Sequence, residues 1–450
     1  MKQEGIHLVL RQIVRIWIFL YFLFFLWAIL KGDSREITLG NLSIQFSLFT
    51  LYVSALILGG RLRFSSSSLF FLVLIINLLG GFLLREYYWY SSNLPFGFSL
   101  DVDSYQYQEN AIRMSGRSFF EMLNYVFNYV NWGMDDIGYS TITWAVYSMF
   151  NDPITAQYFL LILSGCAVSC ASVLFYKLAV LMGFSYRGSI IAALLYGAFP
   201  FVIVISSVGL KENFFCLVII GVFYQIHKVK IGGNWTNWMC LLLLILCTYL
   251  FRSIVALILM GTCFFYLLAN RKTLRRWILC AVGGGVLFVA LFDLLLSDLL
   301  GGITLEMIMN TTTYRLQRVS DNVYMQWTIQ ALSAFLGPFP SFLKLGQFSF
   351  LHSAGTLLKV LLGFSFLFAL KRFFGQLNLH MAPHVLYCLL SMVVLVGSGV
   401  ALDMRYHITI FPSFLLLSLY GMSFFRGKIF NLQILYFLII SAVVIMYNNR

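Results

Sequence analysis

Residues Ile13–Leu30, IVRIWIFLYFLFFLWAIL, form an apolar run that only Arg15 interrupts. A run of this length approaches the ~20 residues with which an α-helix crosses the hydrocarbon core of a bilayer. Comparable runs recur along the chain, for example Tyr158–Tyr176 and Val385–Leu402. Because lipid offers no partner to backbone polar groups, only helices or closed barrels can span it. The pattern predicts an all-α polytopic membrane protein.

The composition of the chain excludes two other broad classes. The chain has 450 residues, of which 60% are hydrophobic and 10% charged, with 45 Phe and 25 Tyr. A soluble domain does not need this much apolar surface, and a disordered chain cannot carry it. The first apolar run is too long for a signal peptide and no small-residue cleavage site follows it, so we predict no cleavable signal.

Membrane insertion also explains the net charge of +13 and the 8 Cys residues. The basic residues are dispersed in short loops between apolar runs, which favours positive-inside topology and argues against a nucleic-acid partner. The cysteines lie within or beside apolar runs, so no disulfide is implied. Cys166 and Cys170 share a helix face, but no His or acid lies near them in the sequence. We interpret them as small core residues rather than metal ligands.

The apolar runs predict about thirteen transmembrane helices in a single integral membrane domain, residues 1–450. The predicted helices begin near Arg11, Asn41, Ser66, Pro153, Gly188, Lys211, Asn237, Ile254, Leu274, Ala354, Pro383, His407 and Phe430. Assigning the connections to alternate sides places nearly all of the 17 acidic residues on one side. The opposite side carries most of the 30 Lys and Arg residues, with Glu4 as its only acid. We therefore expect a cytoplasmic N-terminus and an extracytoplasmic C-terminus.

Two of the predicted connections are long, residues 85–152 and residues 300–353, and both fall on the extracytoplasmic side. In the first, Tyr105–Met114 and Ser118–Tyr129 predict short amphipathic helices that lie in the interface instead of crossing it. The connections on the cytoplasmic side are short. This asymmetry predicts that any chemistry takes place on the extracytoplasmic side.

The sequence Asp101-Val102-Asp103 is the strongest candidate for chemistry in the first long connection. Two carboxylates two residues apart can bind one divalent cation, such as Mg²⁺ or Mn²⁺, or divide the roles of base and orienting group. The simpler alternative is that Asp103 caps a helix while Asp101 is solvated.

Basic residues on the same side are candidates to bind the phosphate of a lipid-linked substrate. They are Lys211, Arg252, Arg315, Arg318 and Arg405. Lys211 and Glu212 open a helix, where a cation and the N-terminal amides together favour an anion; a Lys–Glu interfacial pair is the alternative. An Arg this close to hydrocarbon is costly unless it snorkels, pairs or binds an anion. Snorkelling alone would explain any one of them.

Further polar residues on this side are candidates for contacts with an acceptor. They are Asp136, Tyr107, Glu212 and His407. Asp136 lies close to Gly138 and Tyr139, so a simple turn is an alternative there. An interfacial His such as His407 is more often structural than catalytic.

Short motifs of the chain resemble those of GT-C glycosyltransferases, especially the bacterial protein-mannosyltransferase and lipid A aminoarabinose-transferase branch. Asp103 and Ser104 are followed by Tyr107 and Ala111, similar to the start of the first extracytoplasmic loop in that family. Residues 200–212, from a Pro through a polar turn to Lys-Glu, are similar to the family's Pro-ended helix and the helix after it. The family's C-terminal acid, Arg, aromatic residue and downstream Pro are matched by Asp403, Arg405, Tyr406 and Pro412.

The resemblance covers roughly Asp101 to Tyr420 and implies a GT-C-like fold. It implies that Asp103 is the general base or orients the acceptor. The groups that would hold the phosphate of a polyprenyl-phosphate sugar are Lys211, Arg252 and Arg405. The chain departs from the family in two ways: the acidic loop follows the third predicted span instead of the first, and Ser104 stands where a second acid is often found.

The residues and the resemblance together predict an inverting glycosyltransferase of bacterial surface polysaccharide assembly. It would move a sugar or glycan from a polyprenyl-phosphate or pyrophosphate donor to a glycan or lipid-linked acceptor. Asp103 would accept the acceptor's hydroxyl proton, and the basic residues would stabilise charge on the departing phosphate. Tyr314 and Trp327 in the second long connection would cover the lipid carrier. Oligosaccharide repeat-unit polymerases, of O-antigen or capsule type, share the aromatic composition and external arginines and are the close alternative.

A transporter or flippase for lipid-linked glycans is the alternative from another class. Such a protein is expected to hold polar or charged residues near the bilayer midplane. The predicted spans contain only Asp293 and Lys359 as charged residues, both near span ends. A structural scaffold would leave the acidic and basic clusters without a task, so we favour an enzyme.

Overall fold

The computed structural model describes residues 4–31, 35–92, 102–130, 133–150, 152–270, 305–317, 322–338 and 353–448, together with residues 273, 276, 340 and 342. The helical content is 87%, and the described residues contain no strand. The prediction of an all-α polytopic membrane protein is therefore confirmed at the level of fold class.

The helices follow one another along the chain with short turns between most of them. In the N-terminal half they are α1 (Glu4–Lys31), α2 (Arg35–Arg61), α3 (Ser66–Ser92), α4 (Val102–Met114), α5 (Phe119–Tyr129), α6 (Ile137–Met149), α7 (Pro153–Leu181), α8 (Tyr186–Gly197) and α9 (Pro200–Val208). In the C-terminal half they are α10 (Glu212–Gly232), α11 (Trp235–Phe251), α12 (Ser253–Leu268), α13 (Leu305–Gln317), α14 (Val323–Leu336), α15 (Ser353–Gln376), α16 (Ala382–Gly397), α17 (Met404–Ile408), α18 (Phe411–Met422) and α19 (Lys428–Asn448). Two short 3₁₀ turns, Gly133–Asp136 and Leu379–Met381, complete the list.

Within the described residues, 8 helical stretches are long and apolar enough to cross a membrane. They are Gly5–Leu30, Gly40–Arg61, Ser66–Tyr87, Pro153–Leu181, Tyr186–Val208, Glu212–Gly232, Leu379–Gly397 and Lys428–Asn448. The helices α11, α12 and α18 are apolar but shorter. The predicted span near Leu274 lies almost wholly outside the described residues, so the count of thirteen stays a prediction.

The first long connection is shorter than the predicted range 85–152, because α3 continues to Ser92. Arg85 and Glu86 therefore belong to this helix and not to a loop. The predicted amphipathic helices correspond to α4 and α5, and Ser118 forms a capping box with Glu121 at the start of α5. A further helix, α6, follows and was not predicted.

The pair α8 and α9 forms the centre of the fold, because its apolar stretch is buried throughout. Pro200 lies in the first turn of α9, where its missing N–H is tolerated, and it separates the two helices. Gly209 ends α9 with φ 68, a left-handed conformation that suits glycine. The turn after Gly209 places Lys211 and Glu212 at the end of this buried core.

The C-terminal helices α15 and α18 approach each other closely at Gly421. A Cβ atom added to Gly421 would lie 2.2 Å from the carbonyl oxygen of Ser365, so the backbones meet where no side chain intervenes. Close packing of this kind fixes α18, and with it the segment containing α17 just before it.

Candidate functional site

The candidate site is built around an ion pair between two segments that are far apart in the sequence. Asp103 lies in the first turn of α4, and its Oδ2 accepts a hydrogen bond of 2.7 Å from Nη1 of Arg405 in α17. Arg405 also donates to Oδ2 of Asp403, from Nη2 at 2.9 Å and from Nε at 3.1 Å. One guanidinium therefore bridges two carboxylates through charge-assisted hydrogen bonds.

The turn that carries Arg405 is held by a cap and by aromatic contacts. Asp403 is the N-cap of α17, and its Oδ1 accepts from the backbone N of Arg405 at 2.9 Å. The ring of Tyr406 lies 4.8 Å from the guanidinium carbon of Arg252 and 5.9 Å from that of Arg405. These cation–π contacts bring a second guanidinium beside the first.

A chain of buried polar side chains fixes α4, the helix that carries Asp103. The hydroxyl of Ser104 donates to the carbonyl oxygen of Val208 at the end of α9. Gln108 accepts from the amide of Gln157 in α7, which in turn accepts from Arg85 in α3. Because Ser104 and Arg85 are fully buried, these bonds replace contacts with water and hold α4 in place.

Directly beneath α4 lies a second set of bonds around Asp136. The ammonium of Lys211 donates to the Asp136 carboxylate and to the carbonyl oxygens of Asp135 and Phe251, the latter two at 3.3 and 3.1 Å. The hydroxyl of Tyr107 donates to Oδ1 of Asp136 at 3.1 Å. All three proton donors of the ammonium are therefore used inside the protein.

Burial shifts the pKa values of Lys211 and Tyr107. It lowers the pKa of the Lys211 ammonium, which the nearby Arg252 lowers further, while the Asp136 carboxylate acts in the opposite direction. Burial also raises the pKa of Tyr107 well above its ordinary value, and Asp136 adds to that shift. The Tyr107 hydroxyl therefore keeps its proton and remains a donor to Asp136. With three partners inside the protein, Lys211 is better suited to position Asp136 than to contact a phosphate, which differs from the predicted role.

Asp135 and Asp136 hold two different parts of the chain. The backbone N of Ser253, the first residue of α12, donates to Oδ1 of Asp135 at 2.8 Å. Arg252 precedes this residue, so the bond sets the position from which its guanidinium reaches Tyr406. The predicted cation Arg252 is thus placed by the bond of its neighbour Ser253 to Asp135 and by the ring of Tyr406 beside Arg405.

Glu212 is a buried acid among the cations. It is 5% exposed, and its Oε2 has no hydrogen-bond partner among the residues that the structure describes. The cations that act on its carboxylate are Arg405, Arg252 and Lys211. Buried polar atoms are rarely left without a partner, so the unused acceptor capacity of Glu212 makes it a candidate contact for a ligand.

The site has two layers that differ in exposure. The outer layer consists of Asp103, Asp403 and Arg405, whose side chains are 38%, 29% and 17% exposed. The inner layer consists of Tyr107, Asp136 and Lys211, and the side chains of its ion pair are 3% and 5% exposed. The cation of each layer already contacts a carboxylate, so an incoming anion competes with a carboxylate for that cation.

The remaining predicted residues either form no hydrogen bond with the two layers or lie outside the described residues. Arg315 donates from Nη1 to the carbonyl oxygen of Ser398 at 3.0 Å, in the turn that precedes α17. His407 is fully buried between the Lys359 ammonium and the Ala401 carbonyl oxygen, which favours the structural alternative for this residue. The predicted residues outside the described part of the chain are Asp101 and Arg318.

The described residues supply too few ligands for the predicted divalent cation. Across the described ranges, no group of three or more His, Cys, Asp or Glu side chains could hold a metal ion. Asp101 lies outside those ranges, and Asp103 contacts a guanidinium, whose charge opposes a nearby metal ion. The Mg²⁺ or Mn²⁺ site therefore stays a prediction, and we derive no chemical step through it.

Sequence reasoning missed a chain of polar side chains inside the helix bundle. The Nε2 atoms of His227 and His384 lie 3.3 Å apart. The Tyr266 hydroxyl lies 3.1 Å from Nδ1 of His227, and the Ser413 hydroxyl lies 2.9 Å from Nδ1 of His384. These residues occur singly in four separate apolar segments, so spacing in the sequence gives no sign that they meet.

Comparisons with known proteins do not identify the chain. No family model, no curated protein and no solved structure matches it. The resemblance to GT-C glycosyltransferases therefore depends on the motif residues alone, and a function must be argued from the geometry of the site.

Proposed function

We propose that the protein is an inverting, GT-C-like glycosyltransferase on the extracytoplasmic face of a bacterial inner membrane, with its N-terminus in the cytoplasm. It would transfer a sugar or glycan from a polyprenyl-phosphate or pyrophosphate donor to a glycan or lipid-linked acceptor during surface polysaccharide assembly. The observation that carries this proposal is the 2.7 Å contact between Asp103 and Arg405. A carboxylate that can accept a proton and a guanidinium that can hold a phosphate lie within one hydrogen bond of each other.

The donor phosphate binds by exchange in the outer layer. The guanidinium fork of Arg405 fits a phosphate as well as it fits a carboxylate, so the phosphate takes the position that Asp103 occupies. Asp403 keeps its own contacts and continues to orient Arg405. The exchange releases Asp103 from the guanidinium at the moment when the donor arrives, so the base becomes available only beside a bound donor.

The transfer step is a single displacement at the anomeric carbon. The acceptor oxygen forms a bond to that carbon while the bond between the carbon and the phosphate oxygen breaks. Asp103 takes the proton of the acceptor hydroxyl. The electron pair of the broken bond leaves with the phosphate, whose charge Arg405 and Arg252 stabilise. Attack from the side opposite to the phosphate inverts the configuration of the sugar.

The inner layer supports this step without touching the reacting atoms. Lys211 and Tyr107 fix Asp136, and the bonds of Asp135 fix the start of α12, which sets the position of Arg252. Glu212 offers an acceptor atom to a hydroxyl of the sugar or of the acceptor. This division assigns proton transfer and phosphate binding to the outer layer and positioning to the inner layer.

The experiment uses the purified full chain in liposomes with a panel of polyprenyl-linked sugars and follows the released polyprenyl phosphate or pyrophosphate. Asp103→Asn should reduce release about 100-fold or more, because general base catalysis contributes 10²–10⁴-fold. Thermal unfolding of the variant should match that of the wild type. Release at the wild-type rate by a folded Asp103→Asn variant would overturn the role of Asp103.

A matched control lies on the same helix. Glu109 is an acid of α4 that pairs with the exposed Arg113 at 2.5 Å and with no other side chain of the described residues. Glu109→Gln removes the same charge from the same helix without touching either layer, so its release rate should equal that of the wild type. Equal losses in Asp103→Asn and Glu109→Gln would mean that the charge of α4 matters and the site does not.

The products of the same assay separate a transferase from a repeat-unit polymerase. One added sugar per acceptor is expected for a monosaccharide transferase, whereas a ladder of products is expected for a polymerase. Both reactions use the exchange at Arg405. The products therefore show which acceptor the enzyme uses, and either result is compatible with the proposed site.

A transporter or flippase for lipid-linked glycans is the second candidate, and the His227–His384 contact favours it. Linked imidazole and hydroxyl groups inside the helix bundle are typical of proton pathways in transporters. Movement of a labelled lipid-linked glycan across proteoliposome membranes would be measured without an acceptor present. Movement that is lost in His227→Phe, in a protein that releases no lipid phosphate in the transfer assay, would support transport over transfer.

A further inference from the structure

A second charged region lies at the end of the helix bundle opposite to Asp103 and Arg405. The helix α3 begins there, at Ser66, and its 27 residues extend about 40 Å toward the candidate site. The pair α8 and α9 also begins there, at Tyr186, and ends at Val208 beside the inner layer. The charge asymmetry of the chain predicts that this end faces the cytoplasm.

The region encloses a cavity of about 340 Å³. This volume lies at the lower end of the range for ligand pockets, about 300–1,000 Å³. Two short segments line it: Arg61, Leu62 and Arg63 after α2, and Ser185, Tyr186 and Arg187 at the start of α8.

A two-way hydrogen bond holds these segments together. The hydroxyl of Tyr186 donates to the carbonyl oxygen of Phe64 at 2.6 Å and accepts from the backbone N of Phe64 at 2.7 Å. The loop between α2 and α3 is thereby fixed to the start of α8. Arginines from both segments consequently line one cavity.

Among the residues that the structure describes, no acid pairs with the arginines of the cavity. Arg61, Arg63 and Arg187 form no ion pair or hydrogen bond with the residues that the structure describes. Arg11 adds a further cation nearby, since it acts together with Arg187 on His7. The amide end of α8 contributes partial positive charge in the same place. Guanidinium groups that line one cavity repel each other, and an anion between them removes that repulsion.

We infer that this cavity is a binding site for a phosphate group, with Arg61, Arg63 and Arg187 as its ligands. Guanidinium groups bind phosphate oxygens in a bidentate manner, and basic pockets on the cytoplasmic side of membrane helices bind the headgroups of anionic lipids. The phosphate is carried either by such a lipid or by a small soluble anion. The site is independent of the proposed transfer reaction, because it lies at the other end of the molecule.

The test uses the full chain in detergent and compares phosphatidylglycerol, phosphatidylcholine and inorganic phosphate as ligands. The measured quantity is the concentration of each ligand that gives half of the maximal rise in Tm. The pocket variant is Arg61→Gln/Arg63→Gln/Arg187→Gln. The control variant, Lys371→Gln/Arg426→Gln/Lys428→Gln, removes three exposed cations that were predicted to face the same side of the membrane.

Phosphatidylglycerol should stabilise the wild type and the control variant equally, whereas the pocket variant should need at least tenfold more of it. If inorganic phosphate reproduces the effect, the source is the soluble anion; if phosphatidylglycerol alone does so, the source is the lipid. Equal responses of the pocket and control variants would overturn the site. So would stabilisation of the wild type by phosphatidylcholine to the same extent as by phosphatidylglycerol.

Discussion

The two ends of the helix bundle differ in whether their cations are paired with carboxylates. At the end that carries Asp103, the cations Arg405 and Lys211 each contact at least one carboxylate. At the end that carries Tyr186, Arg61 and Arg187 line one cavity and contact no carboxylate of the described residues. The same residue types therefore form a compensated site at one end and an uncompensated one at the other.

This difference separates two ways of binding an anion. At the compensated end an anion competes with a carboxylate, and in the proposed exchange its binding releases a group that can act as a base. At the uncompensated end an anion only adds attraction, so binding needs no rearrangement and depends directly on the electrostatic field. The first arrangement suits a reaction, and the second suits a structural or regulatory ligand.

The largest expected effect comes from breaking the inner layer. Lys211→Met removes the ammonium and leaves the Asp136 carboxylate buried with Tyr107 as a remaining donor. Removing one partner of a buried ion pair lowers the free energy of unfolding by about 3–5 kcal/mol. Chemical denaturation of the detergent-solubilised protein would measure this loss.

Two controls accompany that measurement. Lys211→Met/Asp136→Leu removes both charges and should recover most of the lost stability, because no unpaired charge remains. Glu109→Gln removes an exposed acid and should leave stability unchanged. A loss in Lys211→Met no larger than in Glu109→Gln would contradict the description of the inner layer as a buried network.

The outer layer should respond in activity instead of stability. Arg405→Gln removes a donor that would stabilise the departing phosphate, which is expected to reduce transfer about 100-fold. Because this ion pair is partly exposed, the free energy of unfolding should change by no more than about 1 kcal/mol. The assay of released lipid phosphate and a denaturation curve measure the two effects separately.

Arg315→Gln is the matched control for that variant. Its guanidinium donates to the Ser398 carbonyl oxygen in the turn before α17, and no hydrogen bond or ion pair joins it to Asp103, Asp403 or Arg405 in the described structure. Transfer by Arg315→Gln close to the wild-type rate would limit the phosphate contacts to α17 and its neighbours. An equal loss would extend the site to α13, as the sequence predicted.

Hydrophobic periodicity and topology predicted the parts of the fold that depend on burial in lipid. Apolar runs located α1, α2, α3 and α7 because the length of a span and the absence of charge are visible in the sequence. The charge asymmetry put Asp103 and Arg405 on the same side, which made their meeting a reasonable expectation. The end of α3 was missed because Arg85 reads as a loop residue, although Gln157 pairs it inside the bundle.

Pairings between distant side chains could not be predicted in the same way. Lys211 is 75 residues from Asp136, and nothing in the spacing distinguishes Asp136 from Asp135 as its partner. The contact of His227 with His384 depends on how α10 and α16 are rotated about their axes. Single polar residues in apolar runs do not specify that rotation, so such contacts appear only when the helices are packed.

Ionic strength should affect anion binding at the two ends of the bundle to different extents, and this effect is smaller than those of the substitutions above. The Debye length falls from about 10 Å at 0.1 M to about 3 Å at 1 M ionic strength. At high salt, about tenfold more phosphatidylglycerol should therefore be needed for half of the maximal rise in the Tm of the wild type. The reason is that the arginines of the cavity attract the lipid through charge that no carboxylate compensates. The KM of the transfer reaction should change less, because salt weakens the phosphate contact and the competing Asp103 contact together. A larger effect of salt on KM than on lipid stabilisation would contradict the assignment of the compensated site to the Asp103 end and of the uncompensated site to the Tyr186 end.

The smallest effect should come from the hydroxyl that fixes the cavity. Tyr186→Phe removes the bonds to the Phe64 carbonyl and amide but keeps all of the arginines. The loss of exposed neutral hydrogen bonds should lower the free energy of unfolding by about 1 kcal/mol or less. If the two segments must be held together for their arginines to act on one phosphate, the phosphatidylglycerol requirement should rise two- to threefold, or about 0.4–0.7 kcal/mol. If Tyr186→Phe needs the same concentration of phosphatidylglycerol as the wild type, the arginines attract the lipid independently of one another. Holding the two segments together would then contribute nothing to binding.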